Sequence, residues 1–267
     1  MKSVVWQVDA FASRPFTGNP AAICALERWP EDSWMQAVAA EMNLAETAFL
    51  VPGNEAFQLR WFTPVVEVDL CGHATLGSAH FLWESGRLAP ATVARFQTRS
   101  GLLTAEQAGT GWIALDFPAT PVAEAPTPPG LVEALGAEPV WCGRSRFDVV
   151  VELDSDEAVR TLTPDIRALA RVKARGVVVT ARATTGDADF VSRFFAPASG
   201  VDEDPVTGSA HCALAPFWAE RLGKAAMTGY QASRRGGTVR VELRGDRVRL
   251  EGQAVTVFKG ELTAPPG

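Results

Sequence analysis

The chain of 267 residues has three histidines, and all of them, His73, His80 and His211, fall within two segments that resemble each other. Histidine is the side chain whose charge changes most readily near neutral pH, so this confinement marks both segments for acid/base work or ligand binding. His73 follows Cys71 and Gly72 at a helix start, where its ring is free to point toward a ligand. His80 and His211 sit further into apolar helical runs, and for them a hydrogen-bonded core histidine is the simpler explanation. Cys71 and His73 with a distant histidine would make three zinc ligands. Cys-x-His alone is too short a signal to specify a metal site, however, and no metal is expected. Glu46 lies between Leu44-Ala45 and Thr47-Ala48-Phe49-Leu50. Burial among such neighbours would favour its neutral form, as a general acid/base working near pH 7 requires; an exposed turn glutamate fits the same letters. Asp204-Pro205 also reads two ways, as a polar group facing a ligand or as a helix N-cap followed by proline at the first helical position.

These residues belong to a segment that occurs twice. Arg60-Trp61-Phe62-Thr63-Pro64 leads to Gly77-Ser78-Ala79-His80, and Arg193-Phe194-Phe195-Ala196-Pro197 leads to Gly208-Ser209-Ala210-His211, the two Gly-Ser-Ala-His strings lying 131 positions apart. Each copy reads as a strand, a polar turn and an apolar helix. A solenoid needs at least about three stacked units, so the duplication predicts two lobes. The helix starts at Gly72-His73 and at Thr207-Gly208-Ser209 present backbone N–H groups at the positive end of the helix dipole, a seat for a carboxylate or phosphate.

The elements that must hold these groups follow from hydrophobic patterning. Strands are expected over 3–9, 20–26, 47–51 and 57–62, with a loop punctuated by Gly18-Asn19-Pro20 and a helix over 31–42 ended by Asn43. The helices over 73–85 and 206–222 are apolar nearly all round, which predicts enclosure by sheet; each is followed by glycine, and Pro216 should kink the second. Residues 118–129 hold five prolines in twelve positions and read as an extended linker. Beyond it come helices over 130–135, 155–161 and 164–171, the last capped by Thr163 with Pro164 at its first position. Strands follow over 139–142, 147–153, 176–181, 189–195, 238–244, 247–251 and 254–259. The class is α+β, with a helix inside a curled sheet in each half. The lobes span 1–117 and 130–267, and the last strand is able to return to the first lobe.

Composition narrows the function. With 47% apolar and 21% charged residues the chain is ordinary globular material. A net charge of −6 argues against a phosphate backbone as partner. Cys24, Cys71, Cys142 and Cys212 show no Cys-x-x-Cys spacing, and no signal-peptide pattern precedes the first strand, so reduced thiols and a cytoplasmic location are expected. No apolar run approaches the length of a membrane span.

Taken together, Val8-Asp9-Ala10-Phe11, Gly18-Asn19-Pro20, Met42-Asn43-Leu44-Ala45-Glu46-Thr47, Phe62-Thr63-Pro64, Gly72-His73-Ala74-Thr75-Leu76-Gly77 and Glu203-Asp204-Pro205-Val206-Thr207-Gly208-Ser209-Ala210 resemble the PhzF family of phenazine-biosynthesis-like proteins, within the diaminopimelate-epimerase fold. The resemblance implies two pseudo-symmetric lobes, each a barrel-like, mostly antiparallel sheet around a central helix, and commonly a homodimer. It implies cofactor-independent isomerisation of a small carboxylate-bearing metabolite by proton transfer. Glu46 would move the proton, with His73 and Asp204 as its catalytic partners. Ser209 would orient the substrate, and Gly72, Cys71, Thr207, Gly208 and Asn19 would line its seat. Related epimerases use two cysteines. Here Cys71 occupies the first such position, and a thiol made acidic by a helix N-terminus would serve as a second acid/base opposite Glu46. An amino-acid epimerase using Cys71, or a metabolite- or partner-binding protein without turnover, are the alternatives. The letters do not name the substrate.

Overall fold

In a computed structural model that describes residues 3–264, the chain divides into two compact units. Unit 1 is Met1–Asp116 with Glu251–Gly267, and unit 2 is Phe117–Leu250. The first half contains β1 (Ser3–Ala10), β2 (Asn19–Ala25), α1 (Asp32–Met42), β3 (Glu46–Val51), β4 (Phe57–Phe62), β5 (Glu67–Val68), α2 (Gly72–Glu84), β6 (Ala94–Thr98), β7 (Gly101–Gln107) and β8 (Trp112–Pro118). It is followed by β9 (Ala123–Glu124), α3 (Leu131–Leu135), β10 (Trp141–Arg144), β11 (Val149–Glu152), α4 (Asp156–Thr161), α5 (Ile166–Leu169), β12 (Val177–Arg182), β13 (Phe190–Ala196), β14 (Val201–Asp204), α6 (Gly208–Leu222), β15 (Ala226–Gln231), β16 (Gly237–Arg244) and β17 (Arg247–Leu262). Among the described residues, no helix is long and apolar enough to cross a membrane.

Unit 1 is a closed barrel. β1 pairs antiparallel with both β17 and β2, and β2 runs parallel to β3. β3 and β4 are antiparallel, β4 is parallel to β6, and β6, β7 and β8 follow as a meander. A pairing of β8 with β17 completes the ring. α2 lies against β1, β2, β3 and β7, with nine of its residues from His73 to Leu82 buried. Small residues make that enclosure possible: a Cβ on Gly77 would stand 3.4 Å from the Ile23 side chain and 3.6 Å from that of Val8. α1 packs outside the barrel, where Met35, Val38 and Ala39 meet Cys24, Phe49 and Phe62. Asn43 ends it in the left-handed conformation.

Unit 2 repeats the pairing scheme. β10 and β11 are antiparallel, β11 and β12 parallel, β12 and β13 antiparallel, β13 and β15 parallel, and β15 and β16 antiparallel. This is the order of β1, β2, β3, β4, β6 and β7, and α6 lies on β15 and β16. The duplication is therefore real, but the Gly-Ser-Ala-His strings do not mark equivalent positions. The Arg60 fork on Glu67 matches that of Arg193 on Glu203, and α2 begins at Gly72 where α6 begins at Gly208. The equivalence is thus 133 positions in the strand and 136 from the turn onward, the 3-10 turn at Pro197–Ser199 supplying the extra residues. Ser209 corresponds to His73, and Thr207 to Cys71.

Several local expectations need correction. Residues 118–129 fall within unit 2 rather than forming a free linker, and Ala123–Glu124 pairs there with β10. The cap of α5 is Asp165, whose carboxylate accepts from the Ala168 N–H, not Thr163. The strands expected over 247–251 and 254–259 are one strand, with a register shift opposite Gln7 and Val8. Pro216 lies inside α6, which runs on to Leu222. Proline at 216 leaves the Cys212 carbonyl without its helical donor, and the Thr120 N–H takes it at 3.1 Å.

Leu76 is fully buried at the centre of α2, whereas Leu102 on β7 is 47% exposed. Leu76→Ala should lower the unfolding free energy by about 2–5 kcal/mol and Leu102→Ala by no more than about 0.5 kcal/mol. Urea titration of both variants checks the pair.

Candidate active site

In unit 1 the chemistry-bearing groups gather where the parallel strands β2 and β3 begin and where α2 starts. Asn19 opens β2 and Glu46 opens β3. The loop before Asn19 is tightly drawn: the buried Asp9 carboxylate accepts from the Phe16 N–H at 2.7 Å. Gly18 sits at φ +65°, where a Cβ would lie 2.1 Å from the Ala10 carbonyl oxygen. Only glycine tolerates that approach, which accounts for Gly18 beside Asn19.

His73, on the first turn of α2, is the hub. Its Nε2 lies 3.1 Å from Glu46 Oε2, with the histidine side chain 7% and the glutamate 20% exposed. The two atoms are in ion-pair contact without the alignment of a hydrogen bond. On the other ring nitrogen, Nδ1, Asn19 Nδ2 approaches to 3.2 Å and Cys71 Sγ to 3.6 Å. Burial opposes a charge on His73, but Cys71 and the Glu46 carboxylate favour it, and the balance holds His73 well above its ordinary pKa. Burial also pushes the Cys71 thiol up, against the expectation that a helix N-terminus would acidify it. The position at the helix start therefore does not make Cys71 an acidic thiol.

Glu46, Cys71 and His73 are also, among the described residues, the group able to hold a metal ion, one donor atom of each lying within 4.8 Å of the others. The third donor is a carboxylate and not the distant histidine. Tetrahedral zinc with bonds of about 2.0–2.3 Å needs its donors within about 3.4–3.8 Å of one another, so the three would have to draw together to bind it.

Unit 2 carries the second set. Asp204 ends β14, and α6 starts at Gly208 with Thr207 as N-cap, so Asp204 is not a helix cap. Its carboxylate accepts from the Thr207 hydroxyl at 2.5 Å. Gln231 on β15 ties this turn together, accepting from the Thr207 N–H at 2.9 Å and donating to the Asp204 carbonyl at 2.7 Å. The pattern of the sequence did not reveal Gln231, because the strand that carries it was not recognised. Ser209, in the first turn of α6, accepts from Arg175 Nη2 at 3.0 Å. His211 is fully buried, and its Nδ1 lies 2.9 Å from the Thr207 carbonyl. Burial outweighs that bond and lowers its pKa to about 4, which makes it a neutral core histidine. His80 contacts Glu84 at 2.8 Å and Thr256 at 3.1 Å. Each unit thus assembles its own part: Asn19, Glu46, Cys71, Gly72 and His73 in the first, Asp204, Thr207, Gly208 and Ser209 in the second.

A profile of the PhzC-PhzF family, described as phenazine biosynthesis-like proteins, matches residues 8–260. This chain belongs to that family. An uncharacterized isomerase of Halalkalibacterium halodurans is 51% identical over 263 residues, covering 98% of this chain and 99% of the relative. The crystal structure of a PhzF family protein from Enterococcus faecalis superposes with a TM-score of 0.94 at 40% identity, covering 99% of this chain and 100% of that one. A probable proline racemase from Agrobacterium radiobacter shares the fold alone, with a TM-score of 0.68 at 12% identity over 99% of this chain and 94% of the other. The PhzF-family chain is accordingly an enzyme of the isomerase class, as its relatives at 51% and 52% identity are named.

All three histidines of this PhzF-family chain are shifted, and the two buried in its helices, His73 and His211, give opposite pH signatures. His73 is raised on folding, so its contribution is complete below the unfolded value near 6.5 and is lost as pH rises through the folded value. His211 is lowered to about 4, so stability is lost as pH falls from about 6.5 toward 4. Urea titrations across pH 4–9 should show His73→Gln flattening the alkaline fall and His211→Asn flattening the acid one.

Proposed function

We propose that this PhzF-family enzyme is a cofactor-independent isomerase that moves a proton between carbons of a small carboxylate-bearing metabolite. The observation that carries this reading is the contact of Glu46 Oε2 with His73 Nε2 at 3.1 Å in a largely water-free setting. A carboxylate beside an imidazolium forms a unit in which one group accepts a proton while the other supplies a positive charge. Glu46 takes the proton from carbon and returns it to another carbon on the same face. His73, held protonated, balances the negative charge that develops on the substrate. Within unit 1 the Gly72 backbone at the start of α2 is suited to the substrate's carboxylate. In unit 2, Asp204, tied to Thr207 and Gln231, and Ser209 at the start of α6 are groups suited to polar atoms of a ligand.

The Cys71 epimerase is the weaker reading. Two bases on opposite faces of one carbon stand roughly 6–7 Å apart, each about 3–3.5 Å from the reacting atom. The Cys71 sulfur and a Glu46 carboxylate oxygen lie within 4.8 Å of each other, too close to enclose a carbon, and burial raises the thiol's pKa.

A panel of small cyclic and acyclic carboxylates in deuterated buffer, read by mass spectrometry, tests the proposal. Wild-type enzyme should place deuterium on carbon in at least one compound. Glu46→Gln should slow that exchange by about 10²–10⁴-fold, while Cys71→Ala keeps most of it. Exchange that survives in Glu46→Gln would rule the mechanism out.

A further inference from the structure

In unit 2, Arg175 is bound on two sides. Its Nε and Nη2 fork onto the Asp148 carboxylate at 2.9 and 2.6 Å, and the same Nη2 donates to Ser209 Oγ at 3.0 Å. The Asp148 side chain is 1% exposed, and the guanidinium lies 5.0 Å from the Phe147 ring and 5.8 Å from the Phe194 ring. The Asp148 backbone N–H is in turn held by Ser145 Oγ at 3.0 Å. A guanidinium has donors and no acceptor. Ser209 Oγ can therefore only accept from Arg175, and its own proton must point elsewhere.

The duplicated fold shows that this arrangement is not required by the barrel. With Phe62 equivalent to Phe195, the strand registers pair Thr47 with Val177 and Ala22 with Val149 as equivalent positions. One step back along each strand, Asp148 stands where unit 1 has Ala21, and two steps back Arg175 stands where it has Ala45. Unit 1 closes with two alanines there. Unit 2 instead buries a carboxylate, at a desolvation cost, to direct an arginine at the residue equivalent to His73.

We propose that Arg175, locked by Asp148, is a positioning residue that commits the Ser209 hydroxyl to donating its proton to a carboxylate bound at the start of α6 in unit 2. This rests on the reading above in taking the substrate to be a carboxylate. Lysine at 175 would keep the charge, but as a point charge without the planar fork it cannot hold both partners in register.

Calorimetric titration with sodium benzoate, and with benzyl alcohol as its uncharged counterpart, tests this. Arg175→Ala alone strands a buried carboxylate and could unfold the chain, so the Asp148→Ala, Arg175→Ala pair, which restores the alanines of unit 1, is the main variant. That pair and Ser209→Ala should each weaken benzoate binding about tenfold, and the triple variant should weaken it no further. Arg175→Lys should fold and still lose affinity. Wild-type protein that fails to prefer benzoate, an Arg175→Lys protein that binds as wild type, or additive losses in the triple variant would each overturn the assignment. The two ideas are read separately: the Arg175 assignment by benzoate affinity alone, the mechanism by loss of deuterium exchange in Glu46→Gln. Retained exchange there would sink the mechanism and leave the Arg175 result standing.

Discussion

A helix enclosed by strands sets the terms for unit 1. α2 has almost no polar face, so nothing but its ends can meet a ligand, and its position is fixed by the small residues that let β1 and β2 come close. An enclosed rod of this kind cannot tilt or slide without opening voids, which cost stability in proportion to their volume. Its first turn is thereby held against the start of the parallel pair β2 and β3. His73 meets Glu46 because the helix has nowhere else to go, and Asn19 meets His73 because the loop through Gly18 is drawn tight.

The two units show how a duplication diverges once one copy takes up the chemistry. The same registers that align Asp148 with Ala21 align Gly176 with Glu46. A Cβ at Gly176 would stand 2.3 Å from the Phe194 ring, so unit 2 has filled the place of the carboxylate with an aromatic side chain. Unit 1 keeps a carboxylate against an imidazole at its helix start, and unit 2 keeps hydroxyls and an arginine. The functional asymmetry lies in a few side chains at strand starts, and the pairing order of the strands has survived unchanged.

Much of this was legible in the letters. The apolar helices, the ends marked by Asn43 and Gly223, and the placement of Glu46 at a helix-to-strand joint all follow from periodicity and capping. The strands β6, β7, β8 and β15 were not: β7 buries only Ala105, and although β6, β8 and β15 bury more, several of their buried positions are alanine, glycine or glutamine, which give little hydrophobic signal. Half-exposed strands with threonines, glutamines and glycines carry too weak an alternation to stand out from loops. The Gly-Ser-Ala-His match was misleading for a different reason. Helices that must pass close to a sheet draw on the same few small residues, so short strings recur out of register. Gln231 and Asp148 act through hydrogen bonds to distant segments, and no local pattern announces such partners.

β17 has a further consequence, for synthesis. Its first residues belong to unit 2, but from Glu251 onward it belongs to unit 1, where it pairs with β1 and β8. Domains generally fold in the order in which they leave the ribosome. Here the first half emerges as a barrel with one stave missing, its β1 edge open until the residues from Glu251 onward arrive, after those of unit 2. The half of the chain that is made first is therefore completed only after the half that follows it, and its strand edge stays unpaired in the meantime.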